Sequence, residues 1–194
     1  MGAGSEAIEV GRLSRYRITG ASEGTPVART YARTRVGGQV IWATRFNERV
    51  DRDRVGGKGG GGGTTTETYS YSVSLAVALG EGPILRIGRV WADGIEVGPD
   101  TLDIRVYPGN ESQLPDPLIQ AVEGVEASPA YRGTAYAVIE DLELGPYGNR
   151  VPQLSFEVVR PADADAVPDE ARSLSTLIRG VALVPGSGEK IAVA

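Results

Sequence analysis

Residues 69–79 read Tyr69-Ser-Tyr-Ser-Val-Ser-Leu-Ala-Val-Ala-Leu79, an alternation of larger and smaller side chains that runs without a break. In an extended strand, the tyrosines, valines and leucines at odd-numbered positions lie on one face, and the serines and alanines lie on the other. This period of two predicts a long β-strand with one strongly apolar face. The second face carries small uncharged side chains, so we expect another layer of structure to lie close against it.

Other strand-forming segments lie along the chain, separated by turn residues. Asp93-Gly94 stands between Ile87–Ala92 and Ile95–Val97 and predicts a hairpin, because a type I′ turn needs positive φ at both central residues. Repeated strands of this kind favour a sandwich or a barrel, and we predict a mainly β, antiparallel, barrel-like domain. The remaining predicted strands are Gly37–Phe46, Leu102–Tyr107, Thr134–Ile139 and Leu154–Val159.

Two segments carry helix signals. Asp116 is a suitable N-cap, Pro117 suits the first helical position, and Gly124 suits the position just after the last turn. These residues predict a short helix of about two turns. The segment Pro168–Arg179 places apolar side chains at helical spacing, which predicts a second, C-terminal linker helix; the stripe comprises Leu174, Leu177, Ile178 and Val181.

Composition predicts the domain boundaries. Residues 1–160 contain all the predicted strands and form one β-rich domain. Within it, residues 55–66 are rich in glycine, which loses the most backbone entropy on ordering, so we expect a mobile loop between the strands Trp42–Val50 and Thr68–Leu79. Residues 161–194 begin with an acidic linker, continue through the C-terminal helix, and are expected to lead into a further domain.

The sequence contains no histidine and no cysteine. This composition excludes disulfides, Cys nucleophiles, His general bases and metal sites built on those ligands, and we expect no catalytic, cofactor-binding or metal-binding residues. The net charge of −5 divides into +5 for residues 1–58 and −10 for residues 59–194. Such asymmetry can orient two copies, or two different subunits, towards each other. No run of about 18 apolar residues is present, so we expect no membrane span.

Two motifs near the glycine-rich segment are incomplete. Gly56-Gly-Lys58 resembles a phosphate-binding loop, but Arg52 occupies the position of its first glycine and no helix is predicted to follow. Asp51 and Asp53 resemble the start of a calcium loop, but Gly62 replaces the bidentate glutamate that closes such a loop. We therefore predict a flexible loop and, before it, a charged turn with local ion pairs from Arg49, Arg52 and Arg54.

Two further motifs are short matches without their context. Ser187-Gly-Glu-Lys190 fits the S-x-x-K motif of serine acylases, but it follows Pro185-Gly186 in a predicted turn and lacks the partner motifs. Asn110-Glu-Ser112 is a formal glycosylation acceptor, and we interpret it as a turn. The tyrosines at the start of the long strand could stack nucleic-acid bases, but the acidity of the chain disfavours this, and we expect them to pack a core face.

Three carboxylates, Glu140, Asp141 and Glu143, end a predicted strand, with Asp141 and Glu143 on one face. A glycosidase needs two carboxylates about 5–9.5 Å apart across a cleft, one of them with a raised pKa. Nothing in the sequence indicates a cleft, so we predict a solvated strand end. A carboxylate-based glycosidase fragment remains an alternative at this point, and it would need two of these residues, or one of them with Glu157, to converge.

Six strings, in order along nearly the whole chain, carry a family resemblance. Together they resemble the hub region of the large tail-tip "megatron" proteins of gene transfer agents and related siphophages, whose longer members carry a TIM-barrel-like domain. That region is in turn similar to tail-tip host-specificity proteins and baseplate hubs. The strings are Val40-Ile-Trp-Ala-Thr44, Tyr69-Ser-Tyr-Ser-Val-Ser-Leu-Ala-Val-Ala-Leu79, Gly88-Arg-Val-Trp-Ala-Asp-Gly94, Gln113-Leu-Pro-Asp-Pro117, Pro129-Ala-Tyr-Arg-Gly-Thr-Ala-Tyr136 and Leu144-Gly-Pro-Tyr-Gly-Asn-Arg-Val-Pro-Gln-Leu-Ser-Phe-Glu-Val158.

The resemblance implies a structural role without enzymatic activity. Such hubs form a trimer that adapts a sixfold tail tube to a threefold tip, surround the channel through which DNA passes, and dock distal tail, hub and other tail-tip proteins. It implies a location in the virion or gene transfer agent particle, after synthesis in the bacterial cytoplasm. The residues that it covers would define the fold, with Gly133, Gly148 and Asp93-Gly94 at turns and Pro152 just before a strand.

A receptor- or carbohydrate-binding β module at the tail tip is an alternative function. It would need an exposed aromatic platform, for which Trp42 and Trp91 are the candidates. Both tryptophans lie in predicted strands, so we expect them to pack into a core instead.

Overall fold

The computed structural model describes residues 7–13, 18, 20, 25–55, 64–98 and 101–160, together with three short strands between 176 and 192. This part of the chain is mainly β, as predicted, with one short α-helix, α1 (Pro117–Glu123), and 3-10 turns at Val125–Ala127 and Gly145–Tyr147. The strands are β1 (Ala7–Val10), β2 (Arg33–Gly37), β3 (Gln39–Ala43), β4 (Asn47–Val55), β5 (Thr64–Glu81), β6 (Arg86–Ala92), β7 (Ile95–Val97), β8 (Asp103–Tyr107), β9 (Thr134–Glu143), β10 (Leu154–Val159), β11 (Thr176–Ile178), β12 (Val181–Leu183) and β13 (Lys190–Ala192).

The strands form two sheets. In the first sheet, β5 lies in the centre, with β1 and then β9 along one edge and β4 and then β3 along the other; β8 pairs with β9 and completes the sheet. The second sheet has the order β13-β12-β11-β6-β10-β2, and β7 also pairs with β6. All pairings are antiparallel except β1 with β5 and β11 with β6.

The main core lies between the two sheets. The odd-numbered residues of Tyr69–Leu79 are all buried in it, as their alternation predicts, and they meet Ile87, Phe156 and Val158 from the second sheet. Burial of so many large apolar side chains is the dominant favourable contribution to folding.

The two sheets do not close into a barrel, so the barrel-like prediction is not confirmed. The chain passes from β2 in the second sheet to β3 in the first through Gly38 alone. At this sharp corner the two sheets share a connecting residue, but among the described residues no strand-to-strand hydrogen bonds join them into one closed sheet. A Cβ atom at Gly38 would lie 2.2 Å from Val77 Cγ1, so the corner packs directly on the core and only glycine fits there.

The small face of β5 is covered by a second layer, as its composition predicts. Ala76 packs in a smaller cluster with Tyr107 and Tyr136 from the neighbouring strands and with Ile119 from α1. The short side chain of Ala76 therefore lies beneath larger side chains of the neighbouring strands and of α1. The helix has the predicted bounds, with Asp116 as N-cap and Gly124 just after its last turn.

The predicted hairpin is confirmed. Asp93 and Gly94 join β6 to β7 and have φ values of 49° and 84°, which is the conformation that a type I′ turn requires. The Asp93 carboxylate accepts hydrogen bonds from the Arg150 guanidinium and from the Gln153 N–H, so the turn is also held by residues far along the chain.

Three predicted boundaries need correction. The predicted loop 55–66 is too long, since Val55 and Thr64–Thr66 belong to the paired strands β4 and β5. Cross-strand pairing and the β-branched threonines favour extended backbone there. Residues 56–63 lie outside the described residues. The predicted strands Gly37–Phe46 and Trp42–Val50 are interrupted at Gly38 and at residues 44–46. The predicted C-terminal helix is wrong at Thr176–Ile178, which pair with β6 and β12 as a strand, and its other residues lie outside the described part.

A buried ionic network fastens α1 to the first sheet. The fully buried Asp116 carboxylate accepts hydrogen bonds from the Arg105 Nε–H at 2.9 Å, the Tyr107 hydroxyl at 2.7 Å and the Leu118 N–H at 2.8 Å. Burial by itself would raise the pKa of Asp116, but the hydrogen bonds from Arg105 and Tyr107 outweigh it and hold the pKa below its ordinary value. Arg105 also donates to Glu140 at 2.6 Å, so one guanidinium connects the helix cap to β9.

A β-bulge in the second sheet holds a second buried carboxylate. Between the pairs Phe156–Val90 and Val158–Ile87, Glu157 of β10 faces both Gly88 and Arg89 of β6. Glu157 Oε2 accepts a hydrogen bond from the Arg89 N–H at 3.2 Å. A Cβ atom at Gly88 would lie 2.1 Å from that same oxygen, so glycine leaves the space that the carboxylate occupies.

We expect Tyr107→Phe and Tyr136→Phe to have opposite outcomes, although the two rings are stacked with centroids 4.4 Å apart. Tyr107→Phe removes a hydrogen bond to a buried carboxylate and should lower the free energy of unfolding by about 1.5–3 kcal/mol. The buried Tyr136 hydroxyl has no hydrogen-bond partner within the described residues, so Tyr136→Phe should be neutral or stabilising. Urea unfolding of the two variants measures the difference; equal losses of stability would contradict the network described above.

We expect Gly88→Ala to destabilise the chain by about 1–3 kcal/mol, because the added methyl group displaces the buried Glu157 carboxylate from its hydrogen bonds with Arg89 and Arg33. Gly37→Ala is the matched control, since a Cβ atom at Gly37 would meet nothing within 4 Å and its φ is not in the left-handed region. Thermal unfolding compares the two. A Gly88→Ala variant as stable as the Gly37→Ala variant would show that Glu157 can leave the bulge without cost.

Candidate assembly surfaces

The candidate calcium loop is a strand. Asp51 and Asp53 lie in β4, opposite Thr68 and Thr66 of β5, so the predicted charged turn is also wrong at this point. An extended strand keeps the two carboxylates on one face and cannot wrap them around an ion. Of the local ion pairs predicted here, Arg49 pairs with Asp51. Within the described residues, no group of three or more acidic side chains is arranged to hold a metal ion.

The phosphate-loop, S-x-x-K and glycosylation motifs lie only partly within the described residues. Residues 56–58 and Ser187 lie outside the described part, and Lys190 begins β13. Arg52, at the position of a phosphate-loop glycine, lies in β4 and pairs with Glu67 at 2.8 Å. The segment 110–112 is a turn as predicted, with the Ser112 hydroxyl donating to Asn110 Oδ1 at 3.3 Å.

Three of the candidate glycosidase carboxylates lie together at the end of β9, and the fourth does not join them. Glu140 is paired with Arg105, and Asp141 and Glu143 are exposed at the end of β9. Asp141 has φ 46° and sits in a bulge between the pairs Leu75–Ile139 and Val73–Leu142. Glu157 belongs to the other sheet. The pKa of Glu157 is held below its ordinary range, because the Arg89 N–H and the Arg89 and Arg33 guanidiniums donate hydrogen bonds to its carboxylate; a general acid would need the opposite shift.

Neither tryptophan forms a bare aromatic platform. Trp42 is half-buried against α1, and its Nε1–H donates to Glu123 Oε1 at 2.9 Å. The expectation that Trp91 packs into a core is wrong. Val90 and Ala92 face the core, so Trp91 between them lies on the outer face of the second sheet. There it is covered by two arginine side chains.

These arginines belong to a continuous surface on the outer face of the second sheet, which we call the arginine face: Arg33, Arg35, Arg89, Trp91 and Glu157. Arg35 lies over the Trp91 ring at 4.1 Å and Arg89 at 5.1 Å, distances at which a guanidinium is attracted by the π-electrons. The Glu157 side chain is only 7% exposed and pairs with Arg33 at 2.9 Å and Arg89 at 3.3 Å, while those two arginines are 62% and 55% exposed.

The arginine face carries a net positive charge held in a defined geometry. The guanidiniums of Arg33 and Arg89 pair with one buried carboxylate, that of Glu157, and Arg35 adds a third guanidinium beside them, so the charge presented to solvent is positive. Within the described residues Arg35 has no carboxylate partner, and its Nε–H donates to Ser155 Oγ at 3.0 Å. Because the bulge, the tryptophan ring and Ser155 restrain the guanidiniums, less side-chain entropy is lost when an anionic partner binds.

A surface of opposite charge lies on the outer face of the first sheet, where β8 begins and β9 ends. It is a shallow cleft of about 340 Å³, which we call the acidic cleft, lined by Thr101, Leu102, Asp103, Glu140, Asp141, Leu142 and Glu143. Glu140 is neutralised by Arg105. Within the described residues, Asp103, Asp141 and Glu143 have no cationic partner, so the cleft is negatively charged.

The sequence indicates three of the acidic residues of the cleft, Glu140, Asp141 and Glu143, but it does not indicate the arginine face. Arg33 and Arg35 precede the first predicted strand, and the partners that position them, Arg89, Trp91 and Glu157, come from β6 and β10 far along the chain. A charged residue inside an otherwise apolar strand, as Glu157 is, was the available signal.

No helix in the described part of the chain is long and apolar enough to cross a membrane. No family model matches the sequence, and no curated protein matches it.

One solved structure does match. The chain is 53% identical to a chain in the structure titled "Virion of native gene transfer agent (GTA) particle", with a TM-score of 0.60. The match covers 96% of this chain and 38% of that one, so this chain spans well under half the length of its relative. Over almost its whole length, therefore, this chain is similar to part of a component of a gene transfer agent virion.

Proposed function

We propose that this chain is a structural part of a virus-like gene transfer agent particle, at the hub of its tail tip. In this role it forms a ring with copies of itself, a homotrimer, around the channel through which DNA passes, and it docks distal tail and other tail-tip proteins. The observation that carries the proposal is the 53% identity, over 96% of the chain, to a component of a native gene transfer agent virion. Identity at this level supports a structural role in such a particle.

The positions that carry the family resemblance support the proposal because they are the ones that shape the fold. Gly133 and Gly148 have φ values of 77° and 67° at turns, where only glycine is free of strain. Asp93-Gly94 makes the hairpin described above, and Pro152 stands two residues before β10. The matched strings therefore describe a scaffold, which is what an assembly role requires.

The charge of the chain also suits a DNA conduit. Residues 59–194 have a net charge of −10, and DNA that passes along a negatively charged wall is repelled and not retained. The arginine face would then point away from the channel, towards a neighbouring protein.

The two alternative functions lack support from the described residues. A carbohydrate-binding module needs an open aromatic face, but Trp91 is covered by arginines and Trp42 is held by Glu123. A carboxylate glycosidase needs a general acid with a raised pKa beside a second carboxylate, but Glu140 is paired with Arg105, and the pKa of Glu157, which lies on the other sheet, is held low. An assembly role needs neither arrangement.

We expect that deleting the protein that contains this chain yields particles with filled heads that lack a tail tip and cannot transfer DNA. Electron cryo-microscopy of purified particles and a gene-transfer assay measure the two effects, and re-expression of the intact protein is the control. Normal tail tips in the deletion strain, or recovery of the protein only from heads, would overturn the proposed function.

We also expect that replacing residues 56–63 by Asn-Gly leaves the domain folded and impairs only assembly. The flanking strands are paired up to Val55 and Thr64, so a two-residue hairpin turn can join them without a change of register. Circular dichroism and thermal unfolding test the fold, and particle yield tests assembly. A shortened chain that fails to fold would show that this segment contributes to the core.

A further inference from the structure

The arginine face and the acidic cleft are complementary, and from this we infer that the arginine face of one copy binds the acidic cleft of a second copy. This head-to-tail contact would be the interface between neighbouring subunits of the ring. The inference rests on the proposed function for its biological setting. Its physical basis is the placement and charge of the two surfaces within one chain.

The two surfaces lie on opposite faces of the sandwich. Arg35 and Trp91 are on the outer face of the second sheet, because their neighbours Val36 and Val90 face the core, and Arg33 lies two residues before Arg35 on the same face. Asp103 and Glu143 are on the outer face of the first sheet, because their neighbours Ile104 and Leu142 face the core.

Arg33 and Arg35 and the acidic cleft also lie at opposite edges of the sandwich. The Gly38 corner places β2, which carries Arg33 and Arg35, beside β3 at one edge. At the other edge, β8 is the last strand of the first sheet and lies near β11 of the second. The positive and negative surfaces therefore cannot reach each other within one copy, and a second copy is needed to bring them together.

A contact between two different surfaces of the same chain is heterologous, so it repeats from copy to copy and closes into a ring when the rotation allows. Because the two surfaces lie on opposite faces, a two-fold dimer cannot pair them reciprocally, and one formed through the arginine face would place that face against itself, where like charges repel. The charge arrangement thus favours a ring or filament over an isologous dimer.

The charges on both surfaces are available for pairing. Arg35 lacks a carboxylate partner, and Asp103, Asp141 and Glu143 lack cationic ones, within the described part of the chain. Arg33 and Arg89 share Glu157 and still expose more than half of their side chains. Guanidinium–carboxylate pairs between copies would fix the relative orientation of the two subunits and raise their association rate, and salt would weaken these pairs.

The test uses charge reversal on each surface and then on both. Arg35→Glu and Glu143→Lys each change one exposed side chain outside the core, and Arg45→Glu and Glu126→Lys are matched controls at exposed sites outside the two surfaces. Self-association is measured by sedimentation velocity at about 0.1 M and about 1 M salt, where the Debye lengths are about 10 Å and 3 Å. Circular dichroism verifies that every variant is folded.

We expect each single reversal to weaken self-association about tenfold at low salt, which corresponds to one repulsive pair replacing an attractive one. The variant with both Arg35→Glu and Glu143→Lys should regain most of the loss, because every interface in its ring then contains the swapped pair. Association of the unmodified chain should weaken at high salt, and the two control variants should behave like it.

Three results would overturn the inferred interface: a monomeric chain at low salt, single reversals no weaker than their controls, or a double variant as weak as the singles. The same variants placed in particles separate this inference from the proposed function. Normal tail tips with Arg35→Glu would reject the interface and leave the tail-tip role intact, whereas normal tail tips after deletion of the protein would reject the role itself.

Discussion

Strand β5 is paired along both edges and covered on both faces, and the rest of the domain depends on this arrangement. Its odd-numbered side chains fill the core between the sheets, and Ala76 on its other face packs in the smaller cluster with Tyr107, Tyr136 and Ile119. Four other strands hydrogen-bond to it directly. A strand used in this way must be apolar on one side and short on the other, which is the pattern that residues 69–79 show.

Features that depend on neighbouring residues could be predicted from the sequence. The alternation in β5, the capping residues of α1 and the Asp93-Gly94 turn act within a few positions, and all three are present. Features that depend on distant residues could not. The pairing of Arg105 with Asp116 and Glu140, and the burial of Glu157 beneath two arginines, arise only when strands far apart in the chain are brought together. The barrel-like prediction is not confirmed, because a run of strands and turns does not reveal whether the last edge of a sheet meets the first.

The candidate sites show the same division. Carboxylates near one another in sequence, such as Asp51 and Asp53, proved to be spread along a strand. The surface that has the most defined chemistry combines residues from β2, β6 and β10, which no local motif could indicate. The arginine face lies on the outer face of the second sheet, where the sequence pattern predicts only solvated side chains.

The pairing of β2 with β10 has a consequence for synthesis of the protein. Ser155 pairs with Gly37, so the partner strand of β2 is translated 118 residues after it. At typical elongation rates of about 5–20 residues per second, β2 is synthesised roughly ten seconds before β10. During that interval its backbone is unpaired and its arginines lack Glu157. The pairings of β10 with β2 and β6 therefore cannot form until the end of residues 1–160 has been made, and the arginine face, which needs Glu157, is absent until then.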